Sequence, residues 1–545
     1  MKNAMKKSSF VKGAFIATVG IIITKILGIL YVIPFHAIIG DDGGALYGYA
    51  YTIYLLFMSL SSAGIPLAIS KIISEYQTLG YYNAKNRAFI IGKKIALLLG
   101  FICFLILTLF APFIAKSILG NLSGGNTIED VTFVIRVIAS AILIVPVLSI
   151  YRGYFEGHRF MTPPSISQII EQIVRVFVII FGSFTFLKVF KFSLTSTVSI
   201  AVFGATIGAF FAYVYLINKK IKNKKKLNEK ILDNNEPIIT DRQILKKIVL
   251  YAIPFIMIDI FKSLYNYIDM ITVVKGLVHT ANYSTKDAEV IFSMLSTWCL
   301  KFNMIILAIS TGIIVSLIPN LTTSFVKKDI KDINKKINQA FQILLFLIIP
   351  MSIGISFLSE PIWNVFYGSS KYGANILTYY IFAGLFMALF TTSVSIIQTL
   401  KDYKGVFISL LIGVLFKFFL NTNLISTFYK MGLPAYYGPI TATIIGFLVS
   451  FIICLFILNV KFCVKYENTL KNFIDILCGS MVMIVILYLV KFLIPVSSTD
   501  RLLNILIIII YSIIGTFVYF VFTYRSKTIN NIFGDKILKK LKIKK

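Results

Sequence analysis

About fourteen long apolar stretches fill most of this 545-residue chain, and several carry a lysine, arginine, aspartate or glutamate near the middle. Runs of about 20 apolar residues are long enough to cross the ~30 Å hydrocarbon core of a bilayer as helices. In hydrocarbon every backbone donor and acceptor must be bonded internally, which leaves only helices and closed barrels. The length of these runs and their lack of alternating polarity exclude barrel strands. The expected fold is therefore all-α, a polytopic membrane protein. A charge at the bilayer centre costs at least ~2.5–3.5 kcal/mol, so it normally faces a cavity or a partner. The embedded charges are the first candidates for function.

The spans read 12–39, 46–73, 90–118, 131–151, 164–187, 193–217, 246–274, 290–318, 339–358, 375–398, 405–427, 434–458, 472–495 and 502–524. Composition agrees, with 57% hydrophobic residues and mean hydropathy +0.85. The formal net charge of +31 sits in short loops and tails, which points to membrane topology and away from nucleic acid. With the N-terminus inside, one set of loops holds about 36 Lys and Arg and the opposite set about six. One missed or spurious helix would spoil that alternation, so both termini are expected in the cytoplasm. The basic start, Met1 to Lys12, leads into an apolar stretch too long for a signal peptide and reads as the first span.

The hydrophilic segment 219–245, with Lys222, Lys224, Lys225 and Lys226 clustered, divides six spans from eight. It is either a solvated linker with a topology signal or a contact for anionic membrane lipids. The expected organisation is an N-lobe over 1–218, this linker, a C-lobe over 246–458, and a final helix pair with a basic tail over 459–545. Phe10–Gly13 and Tyr251–Pro254 open corresponding positions of the two lobes. Transporters are often built from such repeats. The largest outside loops, near Gly276–Glu289 and Ser359–Gly373, are too short for a catalytic domain, and no GxxxxGK[ST] motif is present. The expectation is a transporter and not an enzyme. The five cysteines and three histidines have no metal-binding spacing, and no cofactor or metal is called for.

Lys25 lies half-way along the first span, where it either faces an anionic group or pairs with a carboxylate. Asp259, Lys262, Asn266 and Asp269 share one face of the seventh span, as the lining of a wet cavity would. Lys301 lies inside the eighth. Lysines in such positions suit a phosphate or pyrophosphate and do not suit a cationic drug. Lys71 and Glu75, four apart near the end of the second span, read as an ion pair. Just upstream, Ala63-Gly64-Ile65-Pro66 loosens that helix. Arg152 and Glu156 end the fourth span, and Gln168, Glu171, Gln172 and Arg175 form a polar stripe on the fifth. These eight are expected to form a gate or a structural brace. Arg136 is near enough to a span end to snorkel, and Lys417 is open to either reading.

The stretches KILGILYVIP from Lys25, GALYGYA from Gly44, AGIPLAISK from Ala63 with Glu75-Tyr76, YRGYFEG from Tyr151, and SQIIEQIVR from Ser167 carry a resemblance. The chain resembles the YtgP and SpoVB group of polysaccharide-biosynthesis membrane proteins. That group belongs to the MOP exporter superfamily, with MurJ-type flippases, O-antigen flippases and MATE drug exporters. The resemblance implies a V-shaped pair of six-helix lobes with alternating access, and two C-terminal helices able to form a groove for a lipid tail. It implies flipping of lipid II, the polyprenyl-pyrophosphate-linked peptidoglycan precursor, across the bacterial cytoplasmic membrane by a monomer. Membrane potential or an ion gradient would drive it, the ion being undetermined. The alternatives are another polyprenyl-linked saccharide, a sporulation paralogue, or a MATE-type exporter. In the Gram-negative MurJ branch the first two helices carry several arginines. Here Lys25 stands for one, Tyr31 is uncharged where another is found, and the second span has none.

Overall fold

A computed structural model describes residues 20, 23–227, 237–496, 498 and 500–533. Every regular element among these residues is helical. Among the described residues, twelve helical segments are long and apolar enough to cross a membrane, from Val32–Leu79 to Arg501–Arg525. Two of the expected spans lie outside that set. The first begins among residues that are not described; Phe10–Gly13, residues 228–236 of the basic linker and residues 534–545 of the basic tail also lie outside the described residues. The seventh runs through Asp241–Ala281, a continuous helix of 41 residues. At 1.5 Å per residue it is about 60 Å long, about twice the hydrocarbon thickness.

The chain divides into two compact units, Met1–Thr297 and Trp298–Lys545. The helix Asp241–Ala281 thus packs within the first unit.

Local sequence sets the helix ends. Thr127 and Asp130 form a reciprocal capping box at the start of Ile128–Gly157, and Thr240 with Gln243 forms another before Asp241. Gly40, at φ +63°, interrupts helical geometry inside Val32–Ser61 and marks where the first span hands over to the second. The chain breaks again at Ser62–Gly64. Gly64 takes φ +74°, and Pro66 starts the helix Ile65–Leu79. A Cβ at Gly64 would sit 2.5 Å from the Ala252 carbonyl oxygen, so a left-handed backbone and a close helix crossing both demand glycine there. In lipid, helices associate through such close approaches because lipid tails are as apolar as leucine. Gly208 shows the same, with a virtual Cβ 2.6 Å from the Glu171 carbonyl oxygen.

Inside Tyr82–Leu119, Pro112 cannot donate to the carbonyl of Thr108. Arg136, on Ile128–Gly157, donates to that oxygen from its Nε at 3.2 Å. The arginine does more than snorkel: it completes the backbone of a neighbouring helix.

Candidate functional site

The fifth expected span starts at Thr162–Phe177, with Pro163 and Pro164 in its first turn, where missing N–H groups cost nothing. Its polar stripe faces the end of Ile128–Gly157. There Glu171 lies between two guanidiniums, with Arg152 Nη2 at 2.7 Å and Arg175 Nη2 at 3.0 Å. The three side chains are only 14–16% exposed. Arg152 Nε also donates to Ser167 Oγ at 2.9 Å. Glu156, one turn from Arg152, and Gln168 are partly buried on the same side. Gln172 reaches the first span, its Nε2 lying 3.6 Å from where a Cβ at Gly28 would be. Lys25, one turn before Gly28, is partly buried.

Three tyrosines complete this region. Tyr47 stacks on Tyr51 at 5.5 Å, and Tyr51 meets Tyr54 at 5.6 Å. Tyr54 lies in electrostatic reach of Arg175 and Glu171. Their spacing of four and three places them on one helix face, a signal present in the sequence. Arg175 Nε is nevertheless buried without a hydrogen-bond partner. Two guanidiniums share one carboxylate, so this pocket holds a donor ready for an anionic or neutral acceptor.

The second cluster lies on Asp241–Ala281. Lys262 Nζ is 3.9 Å from Asp259, and these side chains are 33% and 47% exposed. Asn266 and Asp269 continue the stripe and are partly buried. Ser263 and Ser59 bond hydroxyl to hydroxyl at 2.9 Å and tie the stripe to Val32–Ser61. A half-exposed run of charges on an otherwise apolar helix fits a water-filled surface.

Lys71 and Glu75 do not pair with each other. Glu75 takes Lys247 at 2.7 Å, and Lys71 lies over the Tyr251 ring at 3.9 Å. The partners come from Asp241–Ala281, so two helices are joined where the spacing predicted a bond within one. At the other end of this unit, Glu289 is 3% exposed. It accepts from the Asn126 backbone N–H at 2.8 Å, the Asn126 side chain at 2.9 Å and the Tyr49 hydroxyl at 3.3 Å. No spacing marks this latch, because its partners lie 163 and 240 residues away.

In the second unit, Lys301 is partly buried on Cys299–Val326. Lys25 and Lys262 belong to the first unit and Lys301 to the second. Lys417 is fully buried and donates to the Pro439 carbonyl at 2.9 Å and Thr443 Oγ1 at 2.6 Å. Its ammonium is held by backbone and hydroxyl oxygens inside the protein and does not snorkel to an interface.

Residues 10–287 match the family described as polysaccharide biosynthesis protein. The chain is 34% identical over 540 residues to the protein named Lipid II flippase MurJ of Bacillus subtilis (strain 168), covering 97% of this chain and 98% of that one. It is 24% identical over 421 residues to Stage V sporulation protein B of the same organism, covering 76% and 77%. Among solved structures it is similar to one described as Lipid II flippase MurJ, inward closed conformation. There the TM-score is 0.64 at 17% identity, with 94% of this chain and 99% of that chain covered. An inward-facing multidrug resistance MATE family transporter of the MOP superfamily gives 0.58 at 13% identity, covering 81% and 97%. At these identities the structural likeness speaks for the fold.

Proposed function

The chain belongs to the polysaccharide biosynthesis protein family, and from that premise we propose that it is a transporter that flips lipid II from the cytoplasmic to the outer leaflet. The observation that carries this reading is the match at 34% identity over nearly the whole length of a lipid II flippase. The match to the sporulation protein is weaker and shorter, so a flippase for another polyprenyl-pyrophosphate saccharide is the second reading.

In this proposal the cations hold the pyrophosphate while the polyprenyl tail stays in lipid. Lys25, Lys262 and Lys301 are the cations proposed for this role. Asp259, Asn266 and Asp269 would keep the surface around Lys262 wet, with Asp259 holding the lysine until an anion competes for it. Arg152, Glu171 and Arg175, with Gln168, Gln172 and Glu156, would brace or gate the cytoplasmic end. Lys71, Glu75 and Lys247 would lock the same end. The orientation with both termini in the cytoplasm rests on the basic loops. Two six-helix lobes and a C-terminal pair that shelters the tail are part of the same reading, as are a monomeric state and gradient-driven alternating access. Moving one net charge across 100 mV exchanges about 2.3 kcal/mol, enough to bias a cycle.

The test is depletion of the resident flippase in a bacterial host, rescue by this chain, and an assay of lipid II accessibility at the outer face. Restored accessibility is expected. Rescue is expected to fail for Lys25→Ala, Lys262→Ala and Lys301→Ala while membrane insertion persists. Full rescue by all three would sink the role given to the cations.

A further inference from the structure

The second unit holds a cavity of about 920 Å³ that the proposed transport does not use. It lies between the start of Ile330–Phe357, the start of Glu467–Lys491 and the short helix Thr528–Phe533. Four lysines line it, Lys331, Lys335, Lys465 and Lys471, against the single carboxylate of Glu467. None of the four lysines forms an ion pair among the described residues. A neighbour with a structural task looks different: Lys336 is bound to Asp332 at 2.6 Å and to Ser324 Oγ at 2.6 Å.

The wall of the cavity is built and not merely solvated. Asn338 donates to the Lys465 carbonyl at 2.8 Å and accepts from the Thr469 hydroxyl. Gln342, 8% exposed, donates to Thr469 Oγ1 at 3.2 Å. Asn472, 4% exposed, lines the same cavity. Fixed carboxamides among four exposed lysines match an anion that carries several oxygens. The size is that of a small-molecule site.

Its surroundings say which anion. On Glu467–Lys491, Leu470 and Ile474 flank Lys471 and are 59% and 55% exposed, as residues against lipid are. Phe533, on the cavity lining, meets Phe346 at 5.6 Å. Phe346 in turn opens an apolar groove of about 410 Å³ that continues along the same helix past Pro350 and Gly354. Cations at the rim of an apolar surface lie at head-group depth.

We infer that this cavity binds the phosphate head group of an anionic phospholipid of the adjoining leaflet. The site lies wholly in the second unit and does not depend on what the protein transports.

The test uses the full chain in nanodiscs of phosphatidylcholine with and without phosphatidylglycerol, with retained phosphatidylglycerol counted by native mass spectrometry. Each interfacial lysine contributes about fivefold, so K465Q/K471Q should weaken retention ~25-fold. K331Q/K335Q, on the opposite wall, should do the same. K327Q/K404Q, which removes two exposed lysines outside the cavity, should change it less than ~2-fold. Equal losses in all three variants, or in none, would overturn the site. Displacement of the lipid by millimolar inorganic pyrophosphate would overturn the lipid assignment and point to a soluble anion.

Discussion

Replacing Glu171 with glutamine is the sharpest perturbation of the first unit. The carboxylate is held by Arg152 at 2.7 Å and Arg175 at 3.0 Å, and all three groups are 14–16% exposed. Two unit charges at ~4 Å attract by ~4 kcal/mol at an effective dielectric of ~20. Removing one partner of a buried pair typically costs ~3–5 kcal/mol, because the other charge stays behind. Here two charges stay behind and repel each other. Against this, residual exposure screens them, and polar contacts between membrane helices average only ~0.6 kcal/mol, reaching ~1.7. Glu171→Gln is therefore expected to cost roughly 2–3 kcal/mol, above the usual range because the arginines lose their shared counter-ion. Reversible unfolding in detergent micelles measures it, and a double-mutant cycle with Arg175→Gln isolates the pair. The second substitution should recover ~1 kcal/mol or more of the loss. A single-variant cost below ~0.5 kcal/mol with no coupling would refute the idea that this network locks the two helices.

Three further outcomes follow from described contacts. Arg136→Leu should destabilise by ~1–2 kcal/mol by stranding the Thr108 carbonyl, and Pro112→Ala should remove most of that cost by restoring a backbone donor; thermal unfolding of the four-membered set checks it. Gly64→Val should fail to fold or unfold at much lower temperature, since a β-branched residue meets both φ +74° and the Ala252 carbonyl; fluorescence-detected chromatography reports the loss. Lys417→Met should change stability by less than ~1 kcal/mol and leave transport intact, because Thr443 Oγ1 already donates to the Pro439 carbonyl at 2.9 Å; unfolding and complementation together decide it.

The reach of the sequence can be traced through these residues. Helices were legible because apolar runs in a membrane have one way to satisfy their backbone. The stripe of Gln168, Glu171, Gln172 and Arg175 was legible because helical period puts them on one face. Spacing pairs Lys71 with Glu75 because it reveals only neighbours on the same helix. Their true partners, Tyr251 and Lys247, are tertiary. Glu289 carried no local mark, since a lone acid near a span end is ordinary until a distant turn brings Asn126 to it. The tyrosines at 47, 51 and 54 had the right period, but aromatic residues in apolar helices are usually packing. Depth was the least legible quantity: Arg136 and Lys417 differ in burial and partner, and nothing in their flanking residues says so.

The contact between Arg136 and the carbonyl left open by Pro112 bears on descent as well as on stability. A lineage that lost the arginine would strand a polar oxygen in lipid, and one that lost the proline would leave a guanidinium without its acceptor. Selection then acts on the two positions jointly. Across relatives of this chain, positions 112 and 136 should be inherited as a unit, proline with arginine or neither, through intermediates that are briefly less fit.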